Sequence, residues 1–492
     1  MKNLILASTV AILAFSVLYS QPQVSFDEYF INKTMRIDYF HVGDALVEDF
    51  TLDQIRQQGI WAGNPRSPLD PFNNGRYYAK VYDIASNKLI FSKGYDTYFG
   101  EYKTTQPAKN GTKRTYHESV LLPYPRKPIL FVIEVRDRKN VYHPSFSRVI
   151  DPNDYHIITE EPARGDKVFE VLKTGDPHEK VDIVLIAEGY TMKEESKFAA
   201  DLERYTKIFF NWEPYRSYKK NFNVYGIFAP SPESGVDEPR KGVYRNTVLN
   251  SSFNSFDSER YLLIEDNKTL RDVAAQVPYD AIMIMVNSAR YGGGALLNNY
   301  ATFTSDGPQN EHVFHHEIGH SFGGLADEYF TASVTYDEFY PQGVEPSEPN
   351  ITALLDPENL KWKELVLPGL SIPTEWGQEE FNNLSGVRNA LQNEKSLKID
   401  EMKTEGASDK EIEDVKKTYA ERDKEVNDRI TKFLVEHPLR GKVGAFEGAG
   451  FVPKGFYRST VNSVMHKFTN EENIFYAVNE HAIIRVINYY SE

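Results

Sequence analysis

The chain contains no cysteine. This absence excludes disulfide bonds, a cysteine nucleophile and a zinc site with thiolate ligands. An excess of positive charge is also missing, because 56 Lys and Arg face 71 Asp and Glu and leave a formal net charge of −15. That balance argues against nucleic acid or an anionic membrane as the main partner. With 40% hydrophobic residues over 492 positions, we expect stability to come from large packed cores.

Long apolar runs are scarce, and the one that stands out lies at the N-terminus. It extends from Leu4 to Leu18, follows Lys2 and ends before small and polar residues at 20–22. This pattern predicts a cleavable signal peptide over residues 1–20. A membrane anchor is the weaker alternative, because the run is short for a spanning helix and no basic cluster follows it. We therefore predict an exported protein, secreted, periplasmic or on the cell surface, without stable membrane insertion.

Residues 21–160 are predicted to form an all-β sandwich. Residues 76–83 are rich in Tyr and Val with a rough period of two, and residues 129–136 begin as an apolar run and end alternating. Turns rich in Pro and Gly separate such runs, as expected for short antiparallel strands. None of these residues suggests catalysis. The domain is expected to support its neighbour, with binding of glycan or protein as the alternative.

In residues 161–492, strand-like and helix-like segments alternate, which predicts an α/β domain. Apolar strand candidates at 181–187, 222–228 and 279–286 alternate with helix candidates at 193–210 and 269–275. Such alternation indicates a mixed sheet covered by helices. Within this domain, residues 379–437 are rich in charge, carry Leu, Ile and Val at helical spacing, and predict an inserted pair of solvated helices. The chain is thus predicted to be multidomain.

The residues that indicate chemistry are His316, Glu317 and His320, which match the H-E-x-x-H pattern of zinc peptidases. Residues four apart share one face of a helix, so the two imidazoles can bind the same ion. The carboxylate of Glu317 projects beside them, where it can act as general base and then as general acid. A helix over 310–322, ended by a pair of glycines at 323–324, is predicted to carry the motif.

A catalytic zinc ion needs a third protein ligand, and acidic residues follow the helix at once. Asp327 is the preferred candidate and Glu328 the second, because the register of the turn cannot be read from sequence. A more distant glutamate remains open, with Glu338 and Glu345 as unspecific candidates. The other histidines of the helix, His312 and His315, are expected to pack or to be exposed, because neither is placed to share the ion.

The longer string from His316 to Tyr329, HEIGHSFGGLADEY, resembles the bacterial immunoglobulin-A-cleaving metallopeptidase family. A zinc helix ended by glycine also resembles the metzincin clan, in which a methionine turn lies beneath the zinc ligands, and Met465 looks like that methionine. The resemblance implies a metzincin-like catalytic domain, bound Zn²⁺ and hydrolysis of a protein or peptide substrate. It also implies that an extended peptide adds to the edge strand before the zinc helix, expected near residues 297–304.

Two positions depart from the metzincin pattern. The commonest spacing places the third ligand where this chain has Ala326, which cannot bind metal, so Asp327 requires one extra loop residue. The tyrosine that follows the methionine by two residues in several metzincins is replaced by Lys467. Stabilisation of the tetrahedral oxyanion is then left to zinc or to another residue. Candidates for that role are His466, Tyr457 and Arg458.

These features together predict a secreted zinc metallo-endopeptidase that hydrolyses peptide bonds of extracellular proteins, host immunoglobulins and glycoproteins among the candidates. The alternative is an adhesion or binding protein whose peptidase domain is vestigial. Glu317 argues against that alternative, since it is the residue that an inactive enzyme can lose without losing its metal.

Overall fold

The computed structural model describes residues 24–160, 162, 164–330, 339–469 and 474–492. The predicted signal peptide, residues 1–20, lies outside the described residues, and so does Glu338. No helix in the described part of the chain is long and apolar enough to cross a membrane.

The N-terminal part contains two antiparallel sheets. One has the strand order β2-β1-β5 and the other the order β4-β3-β6-β7. The strands and the short helices that accompany them are α1 (Phe26–Tyr29), β1 (Phe30–Gly43), β2 (Glu48–Gln58), β3 (Tyr77–Asp83), β4 (Lys88–Tyr95), α2 (Tyr98–Tyr102), α3 (Gln106–Lys109), β5 (Arg114–Pro125), β6 (Ile129–Arg136) and β7 (Tyr142–Ile150).

Alternation along these strands builds one core shared by both sheets. In β1, Met35, Ile37 and Tyr39 are fully buried, and in β3 the same is true of Tyr77 and Val81. All five belong to a single hydrophobic cluster. Since alternate residues of a strand point to the same face, each strand contributes every second side chain to this core.

The second part is organised around a six-stranded sheet of order β14-β15-β13-β9-β10-β8. Its four inner strands are parallel to one another, and β8 and β14 pair antiparallel at the two ends. The expectation of a mixed sheet with helices is confirmed. Its elements are β8 (Lys167–Leu172), β9 (Val181–Glu188), α4 (Glu195–Phe209), β10 (Phe222–Phe228), α5 (Asn267–Ala274), β13 (Ala281–Val286), β14 (Gly293–Leu296), β15 (Tyr300–Thr304) and α6 (Asn310–Ser321), with β11 (Ser251–Phe253) and β12 (Leu262–Ile264) as a separate pair.

Both faces of this sheet are covered, which explains why β9 reads as a continuous apolar run with every residue buried. One face packs against α4, α6 and the last helix, α9 (Tyr476–Ser491). The other face packs against α5 and against aromatic residues of α2 from the N-terminal part, including Phe99. The two parts of the chain therefore share a hydrophobic core.

The remaining elements form a smaller layer. A three-stranded sheet of order β16-β18-β17 stands beside two long helices. Their bounds are β16 (Ile351–Thr352), α7 (Gln378–Thr404), α8 (Asp409–Val435), β17 (Phe446–Ala449) and β18 (Val452–Arg458). The helices α7 and α8 occupy the segment in which the sequence predicts a helical pair. Their apolar face shares a cluster with Phe330, Trp376 and Phe446.

One expectation about the edge of the large sheet is wrong. The end strand of the sheet is β14, which begins at Gly293. The segment 297–304 is expected to receive an extended peptide, but its strand, β15, pairs with β13 on one side and with β14 on the other. Because both edges of β15 are occupied, it cannot accept a further strand.

Candidate metal centre

The helix that carries the motif is α6, which ends at Ser321, one residue before the predicted end. Gly324 adopts φ +64°, in the left-handed region that suits glycine after a helix. The N–H of Leu325 donates to the carbonyl oxygen of Gly319 at 3.0 Å and closes the turn. The chain therefore reverses directly after the helix and carries Asp327 back to the histidines.

His316, His320 and Asp327 place one ligand atom each at the corners of a small triangle. The two Nε2 atoms of the histidines are 3.1 Å apart. The Oδ1 atom of Asp327 lies 3.1 Å from Nε2 of His316 and 3.2 Å from Nε2 of His320. The structure thus brings together the three residues predicted as metal ligands.

This triangle fits a tetrahedral ion. Ligands about 2.0–2.1 Å from a tetrahedral zinc lie roughly 3.3 Å from one another, close to the separations observed here. Oδ1 of Asp327 is buried and has no hydrogen-bond partner among the described residues, an arrangement that a cation would satisfy. Two imidazole nitrogens and one carboxylate oxygen also form a donor set that suits zinc.

Backbone carbonyl groups orient both imidazole rings. Nδ1–H of His316 donates to the carbonyl oxygen of Val464 at 3.0 Å, and Nδ1–H of His320 donates to that of Leu325 at 2.6 Å. With its proton on Nδ1, each neutral ring keeps the lone pair of Nε2 for the triangle. The loop after the helix and the distant segment around Val464 therefore both support the site.

Glu328, the second candidate for the third ligand, points away from the triangle. It is fully buried and accepts hydrogen bonds from Ser463 at 2.6 Å, Asn350 at 3.0 Å and Asn479 at 3.1 Å. Its backbone N–H donates to the carbonyl oxygen of Met465 at 2.8 Å. Glu328 thus ties the ligand loop to three other segments of the chain.

Met465 lies in a tight turn, in which the N–H of His466 donates to the carbonyl oxygen of Ser463 at 3.1 Å. The methionine is fully buried. A Cβ atom placed on Gly319 would approach its sulfur to 2.9 Å. The thioether therefore packs against α6 at Gly319, and the absence of a side chain there makes this approach possible.

Glu317 lines a cavity of about 140 Å³ together with the three triangle residues. Its Oε1 atom lies 2.9 Å from the position that a Cβ atom would take on Gly293, at the start of β14. Burial raises the pKa of Glu317 above its ordinary value. A carboxyl group with a raised pKa beside a cavity is suited to accepting and returning a proton.

The negative charge of Asp327 has a strong effect on the pKa of His320. Burial by itself lowers the pKa of His320, but the adjacent Asp327 carboxylate outweighs it and raises that pKa to about 9. The same contact holds the pKa of Asp327 far below its ordinary value, against the effect of burial. Without a metal ion this contact favours the protonated ring of His320, and the neutral ring with a free Nε2 lone pair is the form that would bind a metal ion, so binding would be coupled to proton release.

The other histidines of α6 do not join the triangle. His315 is fully buried, its ring stacks 3.9 Å from that of Trp212, and its Nδ1–H donates to the carbonyl oxygen of Glu311. Burial lowers the pKa of His315 to about 4. The ring of His312 packs edge-on against Phe468. Both side chains therefore serve packing.

The remaining candidates from the sequence lie outside the described wall of the cavity. Glu345 forms an ion pair of 3.0 Å with Lys361. His466 packs against aromatic rings and is buried. The guanidinium of Arg458 is fully buried and donates to backbone carbonyl groups, including that of Val461. His466, Tyr457 and Arg458 do not line the described wall of the cavity, so their oxyanion-stabilising role stays a prediction.

The cavity also contains residues that the sequence did not single out. Arg260 and Tyr291 line it, and so do Asn74, Asp96 and Glu101 from the N-terminal part. Nothing in the local sequence connects them with the motif, because they are separated from it by up to some 240 positions and meet it only through the fold. Tyr329 also lines the cavity and belongs to the string that carries the family resemblance.

Two other features of the described residues resemble binding sites. Asp38, Asp53 and His117 bring ligand-type atoms close together, but Nδ1 of His117 accepts from the amide of Asn267. The neutral ring then carries its proton on Nε2, the nitrogen that faces the carboxylates, which disfavours a metal ion. A larger cavity of about 310 Å³ between the two parts of the chain contains none of the triangle residues.

Comparison with known proteins gives a family. The family model described as IgA Peptidase M64 matches residues 169–487, and that described as Peptidase M64 N-terminus matches residues 25–147. No curated protein matches the chain. The two matches follow one another along nearly the whole sequence, and the first contains all the residues of the metal triangle. The chain therefore belongs to the IgA peptidase M64 family of metallopeptidases.

Proposed function

We propose that the chain is an exported zinc-dependent endopeptidase with a metzincin-like catalytic domain. The observation that carries this proposal is the triangle of His316, His320 and Asp327, with Glu317 beside it in the same cavity. The turn at Met465 beneath α6 supports the comparison with metzincins. The two facing antiparallel sheets with one shared core support a sandwich for the N-terminal domain.

The chemistry follows from the positions of these side chains. A bound zinc ion would supply Lewis acidity, which activates water and polarises the peptide carbonyl group. The Glu317 carboxylate accepts a proton from the attacking water. At the same time the water oxygen bonds to the carbonyl carbon, and the electrons of the C=O π bond move to the carbonyl oxygen. When the C–N bond breaks, Glu317 returns the proton to the leaving nitrogen.

The substrate is proposed to be an extracellular protein. The family description names IgA peptidase activity, which favours a protein substrate, and the apolar run at residues 4–18 favours export. The vestigial alternative is not adopted, because Glu317 and all three ligand atoms are present in one arrangement.

Replacing Glu317 by Gln tests this proposal. We expect the variant to keep one zinc ion per chain, measured by elemental analysis, and to lose turnover by about 10²–10⁴-fold, since general acid–base catalysis contributes that much. Turnover is measured as new N-termini released from a mixture of folded extracellular proteins, with and without a zinc chelator. The matched control is Glu311→Gln, an exposed glutamate on the same helix. Cleavage that persists in Glu317→Gln or with the chelator would contradict the proposal.

A further inference from the structure

The described wall of the metal-site cavity has a single arginine or lysine side chain, Arg260. Its Nη2 donates a hydrogen bond to the hydroxyl oxygen of Tyr329 at 2.8 Å. The guanidinium carbon also lies 5.4 Å from the centre of the Tyr329 ring and 5.5 Å from that of Tyr261. These contacts of the Arg260 guanidinium with other described residues are therefore contacts with phenol groups.

Tyr329 stands next to the metal ligands and is firmly held there. Its ring lies within 18° of parallel to the ring of His316, with centroids 6.4 Å apart. Its carbonyl oxygen accepts from the N–H of Phe451 at 2.9 Å, and the ring of Phe451 packs edge-on against it. The carbonyl oxygen of Asp327 likewise accepts from the N–H of Gly450 at 3.1 Å. The phenol therefore has a fixed position relative to the triangle.

The direction of the hydrogen bond determines what the phenol can do. A guanidinium has only donors, so the hydroxyl oxygen of Tyr329 is the acceptor in its bond with Arg260. The proton of the hydroxyl is not used in that bond and is available to a second acceptor. A hydrogen bond from a charged donor also polarises the phenol and strengthens its own donation.

We propose that Tyr329, held and polarised by Arg260, donates a hydrogen bond to the oxygen that becomes negative when water attacks the substrate carbonyl group. This inference rests on the proposed peptidase function. As the C=O π electrons move to oxygen, the phenol O–H shortens its contact with that oxygen, and no proton is transferred. Tyr329 lines the cavity, whereas His466, Tyr457 and Arg458 do not line its described wall, so Tyr329 is better placed for this role.

Arg260 has a positioning role in this proposal. The backbone of Arg260 contacts the edge of the large sheet, because the N–H of Gly293 donates to the carbonyl oxygen of Arg260 at 3.4 Å. The side chain then bridges from this edge to Tyr329 across the cavity. A donor that is fixed before the reaction needs no reorganisation when charge develops, which is the condition for effective oxyanion stabilisation.

The test is Tyr329→Phe, which removes the hydroxyl and keeps the ring. We expect full zinc content, a kcat lower by about 10²–10³-fold and a KM within about threefold, as for loss of an oxyanion donor. Affinity for a phosphinic peptide, which mimics the tetrahedral adduct, is measured by calorimetry and should fall by a similar factor. Affinity for the cleaved product peptides should not change. Arg260→Gln should reduce kcat by a smaller factor, because the phenol remains.

The matched control is Tyr225→Phe. Its hydroxyl accepts from Nζ of Lys173 at 2.6 Å, and its ring centroid lies 5.3 Å from that cation. Tyr225 belongs to the hydrophobic cluster on the face of the large sheet opposite α6. We expect wild-type kinetics and phosphinic peptide affinity from it.

Three results would overturn the proposal. The first is a kcat and a phosphinic peptide affinity of Tyr329→Phe within twofold of wild type. The second is a higher KM with an unchanged kcat and an equally weakened product affinity, which would mean that Tyr329 and Arg260 bind the substrate before the reaction rather than the tetrahedral adduct. The third is loss of zinc from the variant. Failure of the proposed function is distinguishable, because it appears as absent or chelator-insensitive cleavage by the wild-type protein itself.

Discussion

At the residue scale, two neighbouring carboxylates have opposite tasks. Asp327 directs Oδ1 at the two imidazoles, whereas Glu328 directs both oxygens at Ser463, Asn350 and Asn479. Successive residues of an extended loop point to opposite sides, so a shift of one position would exchange them. Residue type alone did not separate these tasks, because both side chains are acidic and adjacent in sequence.

Asp327→Asn and Glu328→Gln should therefore fail in different ways. Loss of a residue that hydrogen-bonds to a metal ligand weakens metal affinity roughly 10–100-fold. Asp327→Asn should weaken zinc affinity by more than this, as measured by competition with a chelator. Glu328→Gln places an amide N–H₂ against donors in a buried site, so it should lower the free energy of unfolding by about 1–3 kcal/mol in urea titration. A sharp loss of zinc affinity in Glu328→Gln alone would contradict this assignment.

At the element scale, α6 and the turn at Met465 depend on each other. The turn supplies the carbonyl group that orients His316, and the sulfur of Met465 fills the space left by Gly319. The helix is predictable from its sequence to within one residue. Its contact with a segment some 145 positions later follows from no local pattern and was expected only through the family resemblance, because the contact itself depends on long-range packing.

Gly319→Ala tests whether α6 depends on its contact with the turn at Met465. The new methyl group would meet the sulfur of Met465 at 2.9 Å and the ring of Phe475 at 3.2 Å. We expect a loss of about 1–3 kcal/mol of stability from overpacking, seen as a lower midpoint of thermal unfolding. Gly386→Ala in α7 is the control, because no atom lies within 4 Å of its new methyl group. That change should stabilise by about 0.5–1 kcal/mol, and equal effects at both positions would refute the packing explanation.

At the scale of the whole molecule, a buried ion network joins the N-terminal part to the peptidase part. Arg36 of β1 is fully buried and donates to Asp38 at 2.6 Å and 2.7 Å and to Asp272 of α5 at 2.6 Å. Burial by itself raises the pKa of Asp38, but the hydrogen bonds and charge of Arg36 outweigh it and hold that pKa below its ordinary value. The N-terminal part that this network joins to α5 also contributes Asn74, Asp96 and Glu101 to the wall of the cavity.

Arg36→Met should be strongly destabilising near neutral pH. It leaves buried Asp38 without its cation, and breaking a buried ion pair lowers the free energy of unfolding by about 3–5 kcal/mol. In the wild type, the lowered pKa of Asp38 stabilises the fold above its unfolded pKa of about 3.9, and this contribution is lost as pH falls through the folded pKa. In the variant, burial without Arg36 raises the pKa of Asp38, so protonation at lower pH removes the destabilising buried charge.

The difference between wild type and Arg36→Met should therefore shrink as pH is lowered towards 3, when both are unfolded with urea. Arg240→Met is the control, because Arg240 forms an exposed ion pair of 2.8 Å with Asp257, and it should change stability by less than about 1 kcal/mol. A difference that grows on acidification would contradict the role assigned to Asp38.

The sequence by itself determined the features that depend on local periodicity and local geometry. It predicted the buried strands, the helix of the motif, the face shared by His316 and His320, and the general base beside them. These follow from the repeats of 2 and 3.6 residues and from the spacing of one helical turn. The choice of Asp327 over Glu328 was a preference, and only the course of the loop after Gly324 set the two carboxylates apart.

The tertiary structure alone decided how distant segments meet at the cavity. The pairing of β15 on both edges, the position of Arg260 against Tyr329, and the wall supplied by the N-terminal part all rest on long-range packing. No local pattern encodes them, since each joins segments that are far apart in sequence and close only after the sheets, α5 and α6 have packed. For that reason the residues proposed as metal ligands were predictable from the sequence, whereas the other residues that line the cavity were not.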